Sequence, residues 1–568
     1  MSDVIFRDNK KGRWLLFREP VKIVATRQLH EVRPCLDMIE SAVERDHVCA
    51  AGFLSYEAGA AFDPAFPIRK DAEFPLLWFG LFKKVETREK LDSGEIPPLV
   101  WTPDVSFEDY RHTINRIHQA IQRGETYQVN YTFPFKAPLN CEPEKLFRSI
   151  VATFPSTYAA FIDTEDFSIA SFSPELFFER NGSRLVSCPM KGTAARGRSF
   201  EEDEACAQRL QTTPKERAEN VMIVDMIRND MGRIAQTGSV CVERLFEVQR
   251  LPTVLQMTST VSCKTDASLA EVFGAMFPCA SITGAPKANT MRLIHELEPE
   301  PRRIYTGTIG YLEPGKIGTF NVAIRTILAN KRTREMKYGV GGGITWDSTA
   351  ENEYQECVLK ARKVSNPMPA FKLLETMLWT PEEGYFLLNE HLARLELSAK
   401  YFQFIFDAGA TRAYLQAIKP GVSSRVRMTV DSNGVIAHTV ARFDGGIRPE
   451  VRLKVAPAAI NSNNVFLYHK TTNRDFYPIL NRGDCDDWIL WNERGEVTET
   501  TIGNLVFEKS GEFVTPALQC GLLPGTFRKS LLEQGKVKED IVKLSDLGGY
   551  EKVYRVNSVR KWESCKIE

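Results

Sequence analysis

Four carboxylates and a lysine stand out by their spacing. Within residues 215–230, Glu216 and Glu219 fall about one helical turn apart, and Met222, Ile223 and Met226 carry the same stripe into apolar residues. A carboxylate at the rim of a buried face is costly unless something positive meets it. A second segment offers the mate: in residues 353–360, Glu353, Glu356 and Lys360 share one helical face through i, i+3 and i+7 spacing. Two helices presenting carboxylates to each other suit a hard, oxygen-seeking cation such as Mg2+. Two solvated helix faces tied by i,i+4 ion pairs satisfy the same spacing.

Three further segments stand out, two of them with groups that could meet an anion. Residues 281–287, Ser-Ile-Thr-Gly-Ala-Pro-Lys, read as a Gly/Pro turn that carries Thr283, with Ala288 and Asn289 opening a helix behind it. The triplet Gly341, Gly342 and Gly343 allows backbone N–H groups to approach an anion closely, although a plain turn or bulge is an equal use of it. Arg325 falls on an alternating strand pattern and can grip a carboxylate with two hydrogen bonds, or simply face solvent.

These residues need elements to hold them. Apolar periodicity predicts helices over residues 110–123, 214–228 and 352–363, and strands over 168–172 and 451–455. Lys363 to Pro369, with Pro367 and Pro369, reads as a link that stops one helix before a new pattern starts at Phe371. The division is therefore residues 1–365 and 371–568, each an α+β domain. Length alone, 568 residues, calls for more than one core. Lys plus Arg and Asp plus Glu are 73 each, which removes any net-charge reason to expect nucleic acid or an anionic membrane as partner. Twelve cysteines form no C-x-x-C pair, no apolar stretch resembles a leader or a membrane span, and a reducing cytoplasm is the expected setting.

Taken in order, these segments resemble the chorismate-utilising enzymes. The resemblance covers residues 107–364 and rests on Gln128-Val129-Asn130-Tyr131, Ser173-Pro174-Glu175-Leu176-Phe177, Lys191-Gly192-Thr193, Ala218-Glu219-Asn220 through Arg228-Asn229-Asp230, the 281–287 turn, Arg325, the glycine triplet and the 353–356 segment. It implies a two-sheet α/β sandwich that binds chorismate with Mg2+. It implies Glu219, Glu353 and Glu356 as metal ligands and Glu175 as general acid/base. It also implies that Arg325, Lys360, Thr283, Gly342 and Gly343 hold substrate. In this family the residue before Gly-Thr separates the branches. Anthranilate synthases carry alanine there, and aminodeoxychorismate synthases carry a lysine that attacks the ring. Here that residue is Lys191, in Cys188-Pro189-Met190-Lys191-Gly192-Thr193. A partly desolvated amine can lose its proton and act as a nucleophile. One departure is Gln256, where the family often has histidine; an amide cannot deliver a proton at neutral pH, which leaves Glu175 as the acid.

The second part resembles the fold-type IV pyridoxal-phosphate enzymes over residues 371–562. The resemblance rests on Leu373-Leu374-Glu375-Thr376, Asn389-Glu390-His391-Leu392-Ala393-Arg394, His469-Lys470-Thr471, Val497-Thr498-Glu499, Gly525-Thr526 and Asn557-Ser558. It implies Lys470 as the Schiff-base lysine, Glu499 facing the pyridine nitrogen, and Arg394, Thr526 and Ser558 around the phosphate. Phe527 replaces a family threonine, so a contact there would come from backbone.

Together the halves imply amination of chorismate and release of pyruvate to leave p-aminobenzoate, a folate precursor. Ammonia would come from solution or from a separate glutaminase subunit. Two alternatives stay open: anthranilate or isochorismate synthesis by the first part, and an amino-acid aminotransferase or non-catalytic module in the second.

Overall fold

In the computed structural model of the chain, residues 3–92, 94, 96–153, 156–365, 369–445, 450–477 and 485–568 are described. Its contacts divide into two units, Met1–Ala194 with Arg209–Met368, and Ala195–Gln208 with Pro369–Glu568.

Strand alternation builds the first unit. In Val4–Asp8, Val4 and Phe6 enter one core while Ile5 enters another, and Leu15 and Phe17 part from Trp14 and Leu16 in the same way in Arg13–Phe17. That period of two makes each strand a wall shared by two layers. Two ten-stranded sheets result. Between them lies a core drawn from both, with Phe6, Phe17 and Phe161-neighbour Ile162 on one side and Phe53, Trp78 and Phe82 on the other. Helices Phe107–Gln122, Pro143–Thr153 and Ala350–Ser365 cover the outer face of one sheet. Val32–Asp46, Pro214–Gly232 and Leu269–Met276 cover the other. This is the two-sheet α/β sandwich the resemblance implies.

One alternative falls away here and one expectation is corrected. The glycine triplet forms no turn or bulge: it runs inside strand Glu335–Ile344, with Gly341, Gly342 and Gly343 in register opposite Thr132, Tyr131 and Asn130. Arg325 is not on a strand. It sits between Ile317–Val322 of one sheet and Thr326–Asn330 of the other, at φ 51°, where the chain crosses between sheets, and its carbonyl accepts from the Phe172 amide at 2.9 Å. Glu175 occupies a second such crossing, between Phe167–Ser173 and Leu176–Asn181.

The second unit holds a four-stranded sheet, in the order Gly384–Tyr385, Leu373–Thr380, Ser424–Val430, Ile436–Arg442. Helices Leu388–Phe402 and Ala408–Ala417 pack on it through Leu392, Leu395 and Leu415. An eight-stranded sheet follows, in which Val497–Thr500 pairs both with Asp487–Trp491 and with Asn504–Lys509, closing a ring. The Ala195–Gln208 segment is tied in tightly. Arg196 lies 4.2 Å over the Tyr401 ring, donates to the Tyr401 carbonyl at 2.8 Å and pairs with buried Asp203 at 2.7 Å, while the Tyr401 hydroxyl donates to the Gly197 carbonyl. Of the expected link, Asn366, Pro367 and Met368 lie outside the described residues. No helix among the described residues is long and apolar enough to cross a membrane.

Candidate active sites

The first site forms where the sheet crossing at Glu175 meets the edge strand Met190–Ala195. Glu175 is 3% exposed, and Ser281 Oγ donates to its Oε1 at 2.7 Å. Burial pushes this carboxyl up to about 7, against the Ser281 hydrogen bond and the Lys191 charge, so near neutrality it is shared between its protonated and ionised forms. Burial acts in the opposite sense on Lys191, holding its ammonium below the ordinary lysine value although Glu219 and Glu175 favour the charge. The two groups thus have pKa values drawn toward each other, an acid made weaker beside a base made weaker.

Several residues fix the lysine. Asn220 Nδ2 donates to the Lys191 carbonyl at 3.3 Å and is itself held by Ser259 Oγ. Gln256 Nε2 donates to the Gly192 carbonyl at 2.9 Å, and Thr193 Oγ1 donates to Gln256 Oε1 at 3.1 Å. The departure at Gln256 therefore braces the strand that carries Lys191 with both ends of its amide. Gly192 has φ 92°, and a Cβ there would stand 2.9 Å from both Glu216 Oε2 and Met257 Cε.

The glycine triplet leaves room for its neighbours' side chains. A Cβ on Gly342 would stand 2.6 Å from Glu353 Oε2, and one on Gly343 would stand 2.1 Å from Gln128 Nε2 and 3.0 Å from Lys191 Nζ. Lys360 Nζ donates to the Gly341 carbonyl at 2.8 Å and pairs with Glu356 at 2.8 Å; burial opposes its charge, but Glu356 holds it above the usual lysine value. Glu353 accepts from Ser348 Oγ at 2.8 Å. Thr283 is fully buried and its hydroxyl is turned back on the Cys279 and Ala280 carbonyls. Arg325 is half-buried, and burial lowers its pKa.

The carboxylates of the two helices do face each other. Burial raises Glu216, and Glu219 and Glu356 push the same way; burial also raises Glu353, again with Glu356 adding to it. Mutually repelling carboxylates with raised affinity for protons are a donor set that a divalent cation would relieve. Among the described residues no three acidic, His or Cys side chains already stand at ligating positions.

The second site is a cavity of about 670 Å³ in the second unit, lined by Lys470, Glu499, Arg394, Thr526 and Ser558 among others. Burial and the Arg394 charge bring Lys470 down to about 8, and burial brings Glu499 up to about 8. Glu499 accepts from Tyr477 Oη and Asn504 Nδ2, both at 3.2 Å. A buried acid so placed is ionised by a cation set opposite it, which a pyridinium nitrogen would be. Thr526 opens helix Thr526–Glu533 behind Gly525, so free amides of that terminus sit at the cavity wall. Ser558 Oγ donates to the Thr376 carbonyl at 3.2 Å. Arg394 is turned to Glu375 at 2.6 Å and to the Pro524 carbonyl at 3.1 Å. The Phe527 ring packs on Phe386 and Trp562, away from any role as a hydroxyl donor.

The family model described as chorismate binding enzyme matches residues 1–366. The chain belongs to the chorismate binding enzymes. Residues 372–566 match the model described as amino-transferase class IV. Aminodeoxychorismate synthase component 1 of Bacillus subtilis (strain 168) is 37% identical over 295 residues, 51% of this chain and 62% of that protein. Anthranilate synthase component 1 1 of Haloarcula marismortui is 34% identical over 281 residues, 48% of this chain and 57% of that protein. The chain thus spans about three-fifths of the length of these curated relatives. The crystal structure of anthranilate synthase component I from Streptococcus pneumoniae superposes with a TM-score of 0.56 at 25% identity, over 62% of this chain and 92% of that one.

In this chorismate binding enzyme the structure gathers Lys191, Glu175, Glu219, Glu353, Glu356, Lys360, Gly342 and Gly343 around one place. Spacing alone singled out neither Ser281 as the partner of Glu175 nor Asn220 as the anchor of Lys191. Both lie inside the quoted motifs, but their hydrogen bonds span 106 and 29 residues of chain.

Proposed function

We propose that the first unit aminates chorismate to 4-amino-4-deoxychorismate, and that the second eliminates pyruvate from that product to leave p-aminobenzoate. The carrying observation is the pairing of Lys191 with Glu175, each shifted by burial toward neutrality. The name of the Bacillus subtilis relative supports the same branch, against the anthranilate branch that the archaeal relative's name represents.

Lys191, as the free amine, adds to the ring while Glu175 gives its proton to the departing ring hydroxyl, which leaves as water. Ammonia then adds to the ring and the lysine amine departs, so the net change is ammonia in and water out. Arg325 and Lys360 are the cations assigned to substrate carboxylates, with Gly342 and Gly343 leaving the space. Glu219, Glu353 and Glu356, with Glu216 beside them, would hold Mg2+, which supplies Lewis-acid stabilisation of negative charge on the substrate. Ammonia is supplied from solution or by a separate glutaminase subunit.

In the second unit Lys470, Glu499, Thr526 and Ser558 would hold pyridoxal phosphate, with Arg394 at the cavity wall. Bound there, it supplies an electron sink to the carbon that bears the substrate amine. Lys470, with its pKa near 8, is the base that moves the ring proton. Glu499, fixed by Tyr477 and Asn504, sets the charge at the far end of the cavity.

The test is product analysis of the full chain with chorismate, ammonium, Mg2+ and pyridoxal phosphate. p-Aminobenzoate is expected by chromatography; anthranilate or isochorismate in its place overturns the reading.

A further inference from the structure

The cavity that contains Lys470 is strongly cationic. Six arginines and Lys470 line it, against two carboxylates, Asp444 and Glu499. Four of the arginines are engaged within the protein. Arg394 pairs with Glu375, Arg442 with Asp444 at 3.1 Å, Arg560 with Glu563 at 3.6 Å, and Arg474 donates to the Thr501 carbonyl. Arg425 and Arg427 differ. Beyond the strand pairing of their backbones, neither side chain has an ion pair or hydrogen bond among the described residues, and both are exposed at the cavity wall.

Their placement follows from strand alternation. Along Ser424–Val430, Val426 and Met428 are buried while Arg425 and Arg427 point the other way. Residues two apart on a strand stand about 7 Å from each other on one face. Thr376 lies opposite Arg427 in the neighbouring strand and lines the same cavity, so this face of the four-stranded sheet is a cavity wall. Thr526 and Ser558, assigned to the cofactor phosphate, belong to other elements: a helix start and the turn before Lys561–Ile567.

We propose that Arg425 and Arg427 form a carboxylate-binding wall that selects a primary amine carrying two carboxylates, over amino acids with one. This rests on the reading of the cavity as a pyridoxal-phosphate site and names the class of substrate it takes. The amine is directed at Lys470, and the carboxylates meet two guanidinium groups held on a rigid strand. Guanidinium forks bind carboxylates bidentately, and two unpaired forks on one wall match two carboxylates on one small molecule, one on its ring and one on the side chain that leaves as pyruvate. A substrate with a single carboxylate engages only one of the two forks and so binds less tightly.

Calorimetric titration of the full chain with isophthalate and with benzoate tests this, in the wild type and in R425Q, R427Q and the double variant. Isophthalate is expected to bind at least about tenfold more tightly than benzoate, and each single substitution to cost it about tenfold, with R427K retaining part of the gain. Melting temperature and the visible cofactor band of the variants should match the wild type. Equal affinity for the two acids, or affinities untouched by the substitutions, overturns the proposal. p-Aminobenzoate release from 4-amino-4-deoxychorismate is followed alongside. Release by the wild type with no effect of the arginines sinks this inference alone. Isophthalate selectivity that depends on the arginines, without release, sinks the lyase reading and leaves the dicarboxylate wall standing.

Discussion

Lys191 and Gly343 compete for one volume: the lysine Nζ lies 3.0 Å from the point that a Cβ on the glycine would take. Gln128 Nε2 lies 2.1 Å from that point, so an added methyl has to move one group or both. Gly343→Ala is therefore expected to displace the lysine while leaving the strand paired, since alanine is tolerated in a regular strand. Ring amination should fall about 100-fold, the scale of a misplacement near 1 Å. Circular dichroism and melting temperature should stay close to wild type. An Ala variant of normal rate would mean that the lysine does not act from this position.

In the proposed mechanism Glu175 is expected to set the alkaline limb of the first reaction. With its carboxyl at about 7, the proton it must give is present below that pH and lost above it. The rate of ring-hydroxyl loss should fall as pH rises through about 7. Glu175→Gln should abolish this limb along with most of the rate, by about 100-fold or more. A pH profile unchanged in the variant would remove Glu175 from proton delivery.

Glu375 gives the second unit an acid-sensitive anchor. Burial works to raise its pKa, but Arg394 and His391 hold it down to about 2 from an ordinary 4.5. A depressed carboxylate contributes stability fully above 4.5 and loses it as pH falls toward about 2. Glu375→Gln should flatten the melting temperature of the second unit across that window. At neutral pH it should cost about 3–5 kcal/mol, because Arg394 is left buried without its partner. Thermal scans between pH 7 and 3 read both effects; parallel curves for wild type and variant would contradict the assignment.

Arg196 anchors the inserted segment of the second unit through buried Asp203 and the Tyr401 ring. Arg196→Leu should destabilise that unit by about 3–5 kcal/mol, since Asp203 is left as a buried charge. Adding Asp203→Asn should recover part of the loss. Melting of the full chain followed by the visible cofactor band is the readout, and a variant that melts like wild type would show the segment to be dispensable.

Local pattern carried much of this to the reader of the sequence. The helix predicted over residues 214–228 is Pro214–Gly232, and that over 110–123 is Phe107–Gln122, because a proline or serine start and an apolar stripe are local signals. Arg325 and the glycines were misplaced for a different reason. Alternation around Arg325 continues through the crossing between sheets, and nothing local announces a change of sheet. Three glycines in a row read as a turn by composition, yet their strand is set by Thr132, Tyr131 and Asn130, some two hundred residues earlier. What makes glycine necessary there is the bulk of Glu353, Gln128 and Lys191 arriving from three other elements. The partners of Glu175 and Lys191 were hidden in the same way, since a hydrogen bond between distant residues leaves no mark on spacing.

The Ala195–Gln208 segment also bears on inheritance. A recombination breakpoint placed in the stretch after Ala350–Ser365 looks like a natural seam for moving the second half onto another gene. Such a transfer would leave Arg196 and Arg198 behind and strand Tyr401 and Tyr468 without the guanidinium groups that cover their rings. A second half moved on its own would therefore lack that cover unless residues 195–208 travel with it.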